Sequence, residues 1–179
     1  MSTLDLSTLV LAVGQHTAGD EMCLLEAAAF QAGEPWSDHP ACVSPVLGTY
    51  GRDLNDVLPD ATRQRLVPFI PRLLNTAGDG LDERRSYLAL DWLVRTYLPA
   101  WLRLVPALAA QADLLADAHE VVDLESASAI GVLVRDAASQ SAAAWDAAGD
   151  AAGVALAPTV IALQDSAIDL FDRMLTVTA

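Results

Sequence analysis

The sequence contains no lysine. All ten basic residues are arginines, set against 24 carboxylates, for a net charge of −14 at pH 7 and a pI near 4.2. A phosphate backbone is repelled by such a field, so direct nucleic-acid binding is not expected. Cysteine is scarce, with two in the chain, which excludes the disulfide framework of a small secreted scaffold. No window reaches the roughly 18 to 20 uninterrupted apolar residues of a membrane span, so no membrane is expected. The apolar run at residues 4–13 has no basic stretch before it, and no secretory leader is expected. These absences point to the cytoplasm, where the two thiols are reduced or bound to metal. Also missing are a Gly-rich phosphate loop, His-Glu-x-x-His, a ferritin-type Glu-x-x-His, Cys-x-x-Cys and a nucleophile elbow, which removes the named enzyme classes those motifs carry. Gly78-Asp-Gly80 is too short for an EF-hand loop.

What is present is apolar and helix-forming. Of 179 residues, 53% are hydrophobic and 19% charged, with a mean hydropathy of +0.33. That excludes disorder and suits one domain over residues 1–179 with a substantial core. Residues 4–13 fit a short helix or an edge strand equally. Thr17 and Asp20 stand three apart before an apolar run and suggest a capping box for a helix over 20–32, with Gly33 closing it. Residues 34–43, EPWSDHPACV, hold two prolines and form a loop. Ser44-Pro45 is a good N-cap and N1 pair for a helix to about Val57, with Leu47, Tyr50, Leu54 and Leu58 inward. Short helices are expected at 61–67 and 69–76. Residues 81–98 form a helix apolar nearly all round, which places it centrally. Further helices follow at 107–119 and 123–151, and Pro158 opens a last one with Leu163, Ala167, Leu170 and Met174 inward. No strand pair or hairpin signal occurs. The expected fold is all-α, a multi-helix bundle with a Pro-rich loop near the N-terminus.

The segments MCLLEAAAFQAGEPWSDHPACVSPV and RRSYLALDWLVRTYLPAWL carry a resemblance. Met22 to Ala27, Gly33 to Pro35 with Ser37 and Asp38, Cys42 to Pro45, and Leu170 to Met174 are similar to a pattern found in a group of uncharacterised proteins from actinobacteria and their phages. The preference for Ala, Leu, Asp and Arg over Lys, Ile and Asn suits that origin. The resemblance spans most of the chain, and because the group has no known activity it implies no catalytic residue.

The chemistry-bearing side chains concentrate between His16 and Cys42, a stretch with both cysteines and two of the three histidines. His16, Cys23, His39 and Cys42 are candidate ligands for zinc or iron, since thiolate and imidazole suit both metals. Cys23, Glu26, Trp36, Asp38 and Cys42 form a candidate small-molecule or thiol-dependent site. Cys23 would be a nucleophile with His16 or His39 as base and Asp38 as orienter, although Asp20, Glu21 and Glu26 oppose thiolate formation. The competing reading makes Cys23 a packed core residue and the histidines exposed. A second candidate is the line Arg84, Asp91 and Arg95, within about 40° on a helical wheel. It is either a pocket for a carboxylate or phosphate, or an internal ion-pair line. His119, Glu120, Asp123 and Glu125 form either a cation site or a solvated acidic turn. Two functions follow. One is a non-catalytic interaction or self-association module with a protein partner or a second copy. The other is a metal- or thiol-dependent binder or enzyme around Cys23, Glu26, Asp38 and Cys42. An acidic mimic of nucleic acid for a basic partner ranks below both.

Overall fold

A computed structural model describes residues 4–18, 21–148 and 153–178, without the side chains of 140, 142–148 and 153–155. The chain is all-helical, and among the described residues there is no strand. In order come α1 (Leu24–Ala32), α2 (Pro45–Val57), α3 (Asp60–Arg63), a 3-10 segment (Gln64–Phe69), α4 (Ile70–Leu73), α5 (Asp82–Trp92), a π segment (Leu93–Tyr97), α6 (Leu98–Leu102), a 3-10 turn (Pro106–Leu108), α7 (Ala109–Ala116), α8 (Leu124–Ala148) and α9 (Gly153–Thr176). Among the described residues no helix is long and apolar enough to cross a membrane.

The helices divide into two compact units. One holds Met1–Arg85 with Ala167–Ala179, the other Ser86–Ser166. In the first, Leu24, Leu25, Leu47, Leu66, Ile70, Leu73 and Phe171 are fully buried. Gly51 is what lets α2 close on this core. A Cβ there would stand 3.2 Å from both Leu24 Cδ2 and Phe171 Cζ, tighter than a packed interior accommodates without moving a neighbour. In the second unit, Val94, Leu102, Val105, Leu108, Ala112, Leu115, Val121, Ile130 and Ala137 form the buried cluster.

Several boundaries differ from expectation. The first helix begins at Leu24, not residue 20, and Cys23 is its cap. Thr17 does not perform that role, and Asp20 lies outside the described residues. The α2 cap is as expected, with Ser44 Oγ accepting from Leu47 N and Pro45 opening the helix. Pro158 lies inside α9, which starts five residues earlier at Gly153; the proline removes one i→i−4 donor from the second turn of the helix. The helix expected over 81–98 passes into the π segment at Leu93–Tyr97, where Leu98 N donates to Leu93 O. Pro99 supplies no N–H to Arg95 O and its ring crowds that carbonyl, which widens the preceding turn.

Residues 10–16 are neither helix nor strand. Ala12 N donates to Met22 O at 2.9 Å beside an isolated bridge from Leu11 to Met22. The Gln64 amide accepts from Leu11 N at 2.8 Å and donates to Leu11 O at 3.0 Å. Asn55 Nδ2 donates to Ala12 O, and Asp56 Oδ1 accepts from Gly14 N. Side chains of α2 and the following turn therefore replace a neighbouring strand, which satisfies the backbone of this strap. The end of α2 is closed from a distance as well: buried Arg63 donates to Asn55 O at 2.6 Å and Leu58 O at 2.7 Å, taking up carbonyls that a helix terminus leaves unpaired.

Candidate functional site

The His16–Cys42 stretch folds into two separate groupings. The first centres on Glu26, whose side chain is fully buried. Its Oε1 accepts from His16 N at 2.6 Å, and its Oε2 accepts from Cys23 N at 2.8 Å and lies 2.9 Å from His16 Nδ1. Cys23 Sγ accepts from Glu26 N at 3.5 Å, completing a reciprocal capping box in which a thiol stands where serine or threonine is usual. Trp36 Nε1 donates to His16 O at 2.8 Å, which fixes the strap to the Pro-rich loop. His16, Cys23, Glu26 and Trp36 are thus brought together, and each bond either caps α1 or holds a backbone segment on it.

Burial acts to push the Glu26 carboxyl up. The N–H groups of His16 and Cys23 and the His16 ring outweigh it, and the net direction is down. Glu26 is therefore a buried carboxylate. The Cys23 thiol moves the opposite way, pushed up to about 12 by burial and then by the Glu26 charge. It is a protonated, packed thiol at neutral pH and lacks the thiolate that a nucleophile requires. Cys42 is partly exposed, and burial followed by Glu34 also raises its thiol. In the folded protein at pH 8, a thiol reagent is expected to modify Cys42 well before Cys23, read by mass spectrometry of digests. Equal labelling rates would contradict this assignment.

The second grouping is in the Pro-rich loop. Asp38 Oδ1 stands 2.7 Å from His39 Nδ1 and accepts from Gln15 Nε2 at 3.3 Å. The His39 ring is 67% exposed, so it is not enclosed with His16 and Cys23. Among the described residues, no group of three or more His, Cys, Asp and Glu is placed to hold a metal ion.

The Arg84, Asp91 and Arg95 line is realised only in part. Asp91 and Arg95 pair at 3.1 Å in the second unit, where buried Asp91 also accepts from Val121 N at 2.9 Å. This pins the turn after α7. Arg84 belongs to the first unit and donates to Thr178 O at 2.6 Å. The buried arginine is its neighbour Arg85, 2% exposed, which donates to Asp79, Asp82 and Met174 O. Asp82 accepts in turn from Ser44 Oγ. On the helical wheel Arg85 lies off the polar line, among apolar neighbours, so helical angles do not single it out.

A further surface feature lies in the second unit. A hollow of about 420 Å³ is lined by Ala129, Ile130 and Leu133 together with Asp117, His119, Asp123 and Glu125, among others. A second hollow of about 140 Å³, lined by Leu114, Leu115, Leu133, Asp136 and Ala137 among others, shares Leu133 with it. Joined at Leu133, they make a trough along α8, bordered by α7 at the smaller hollow and by the turn after α7 at the larger, with apolar side chains and carboxylates in its lining. Leu114 is 61% and Leu133 36% exposed there. Asp123 is occupied as a cap, accepting from Ser126 N and Ser126 Oγ, and these bonds hold its carboxyl below the ordinary range. His119, Asp123 and Glu125, which the sequence offers with Glu120 as either a cation site or a solvated acidic turn, line the larger hollow, and the apolar Ala129, Ile130 and Leu133 of its lining all come from α8.

No family model, curated protein or solved structure matches the chain.

Proposed function

We propose that the protein is a non-catalytic interaction module that receives an amphipathic, basic-flanked helical segment of a partner protein in the α7–α8 trough. The observation that carries this reading is the pairing of exposed Leu114 and Leu133 with the carboxylates of Asp117, Asp123, Glu125 and Asp136. Apolar area supplies affinity and carboxylates select the sign of the partner. A second copy of this chain is a poor occupant, because a net charge of −14 sets like charges against each other.

The test uses a fluorescein-labelled helical peptide with leucines on one face and lysines flanking them, and a glutamate-flanked counterpart. Fluorescence anisotropy should show saturable binding of the lysine form only, weakening as salt rises. Leu114→Asp with Leu133→Asp should reduce affinity roughly tenfold or more with an unchanged melting temperature. No binding by the wild type, or binding that the double variant leaves intact, would overturn the reading.

A further inference from the structure

The Pro-rich loop, the start of α2 and the turn before α5 enclose a cleft of about 530 Å³ in the first unit. Its walls are mostly apolar, with Pro40, Val43, Pro45 and Ala77 among them. Two basic side chains, His39 and Arg52, also face it. Arg52 differs from five of the other arginines. Arg63, Arg72, Arg85, Arg95 and Arg103 are each paired with a carboxylate. Arg52 donates instead to two neutral oxygens, Asp38 O at 2.9 Å and Thr49 Oγ1 at 3.3 Å. Those bonds aim the guanidinium without neutralising it, and a guanidinium carries five N–H donors.

The His39 ring is directed similarly. Its Nδ1 is tied to the Asp38 carboxylate, which leaves Nε2 as the ring's outward-facing nitrogen. The one acid on the wall, Asp82, is already held by Ser44 and Arg85. The loop that carries His39 is braced by Ala41 N on Glu34 Oε2 at 2.6 Å and by Ala77 N on Cys42 O at 3.1 Å. The cleft thus presents the Arg52 guanidinium, held by two neutral oxygens, beside an apolar wall in a protein that is otherwise strongly negative.

We infer that this cleft binds a small organic monocarboxylate with an apolar body, its carboxylate on Arg52 and its body against Val43 and Pro45. Arginine recognises a carboxylate through paired N–H donors, and the cleft is the size of an ordinary small-molecule site. A dianionic phosphate is disfavoured, since Arg52 is the single permanent cation on these walls.

The experiment is a two-dimensional ¹H–¹⁵N titration of the full chain with benzoate, with inorganic phosphate in parallel. Benzoate should give saturable shifts confined to Gly48, Thr49, Ala77, Gly78 and the Arg52 Nε–H. Arg52→Gln should weaken binding roughly tenfold or more. Ala41→Trp, which fills the cleft from an exposed position, should abolish the shifts while leaving the rest of the spectrum in place. Absence of saturable shifts in the wild type, or shifts that survive both substitutions, would overturn the assignment. Phosphate binding as well as benzoate would overturn the choice of a monocarboxylate.

Discussion

Replacing Glu26 with alanine is expected to lower the unfolding free energy by about 3 kcal/mol or more, read from denaturant melts at constant slope. The size follows from what one carboxylate does. It accepts from two backbone N–H groups and the His16 ring at 2.6 to 2.9 Å, with its own side chain fully buried. Alanine leaves those donors without acceptors and opens a void beside Cys23. Glutamine keeps the volume but brings an NH2 toward one donor, so Glu26→Gln should cost less than alanine and still be measurable. The pH dependence has a definite sign. The folded-state pKa of Glu26 lies below its unfolded value. Its contribution is therefore full above about pH 4.3, the unfolded value, and is lost as pH falls through the folded-state value. Wild type should lose stability on acidification from about pH 5 to 3 more steeply than Glu26→Gln. Parallel acid limbs would show that Glu26 is not the group responsible.

Arg85→Met should be of similar severity, about 3 to 5 kcal/mol, whereas Arg84→Met one residue earlier should change stability by less than about 0.5 kcal/mol. Arg85 is 2% exposed and joins three parts of the first unit. Its Nε donates to Met174 O at 3.1 Å in α9, and its two terminal nitrogens hold Asp79 at 2.8 and 2.6 Å and Asp82 at 3.2 Å. Methionine fills similar space but leaves Met174 O unpaired and the two aspartates facing each other. Lysine cannot replace the fork either, because one ammonium does not span both carboxylates and the carbonyl. The Arg85 guanidinium beside Asp79 holds that carboxyl below its ordinary value, so carboxyl-carbon NMR in Arg85→Met should find Asp79 titrating near the usual aspartate range. An Arg85→Met protein as stable as Arg84→Met would remove the network from any account of this fold.

The candidate stretch was legible in part. Cys23 and Glu26 stand three apart and do meet, because a helix start brings the N-cap and N3 positions together by local geometry. Their role was hidden because a thiol is not among the usual caps. His16 and Trp36 join them only through the strap and the loop, whose paths are set by Gln64, Asn55 and Asp56. No local rule connects those residues to residue 16. The line of Arg84, Asp91 and Arg95 follows correctly from helical angles, yet angles give direction and not partners. Asp91 finds Arg95 and Val121 N, while Arg84 finds Thr178 O.

The sequence by itself determined that the chain is helical, because alanine and leucine dominate and the apolar spacing is helical over most of its length. It determined where α2 begins and where α1 stops, since Ser44-Pro45 and Gly33 act through their own backbone and side-chain chemistry. Only the tertiary structure decided the rest. The boundaries of the two units fall at Arg85 and Ser166, inside helices, where composition does not change and no linker marks them. Which arginines are neutralised is likewise a matter of what packs opposite: Arg85 meets Asp79 and Asp82, and among the described residues Arg52 donates to two neutral oxygens. The trough along α8 exists because Leu114 and Leu133 come from separate helices whose side chains meet only on packing. Helical periodicity is a property of neighbours along the chain, whereas a cleft and its charge are properties of surfaces that neighbours alone do not specify.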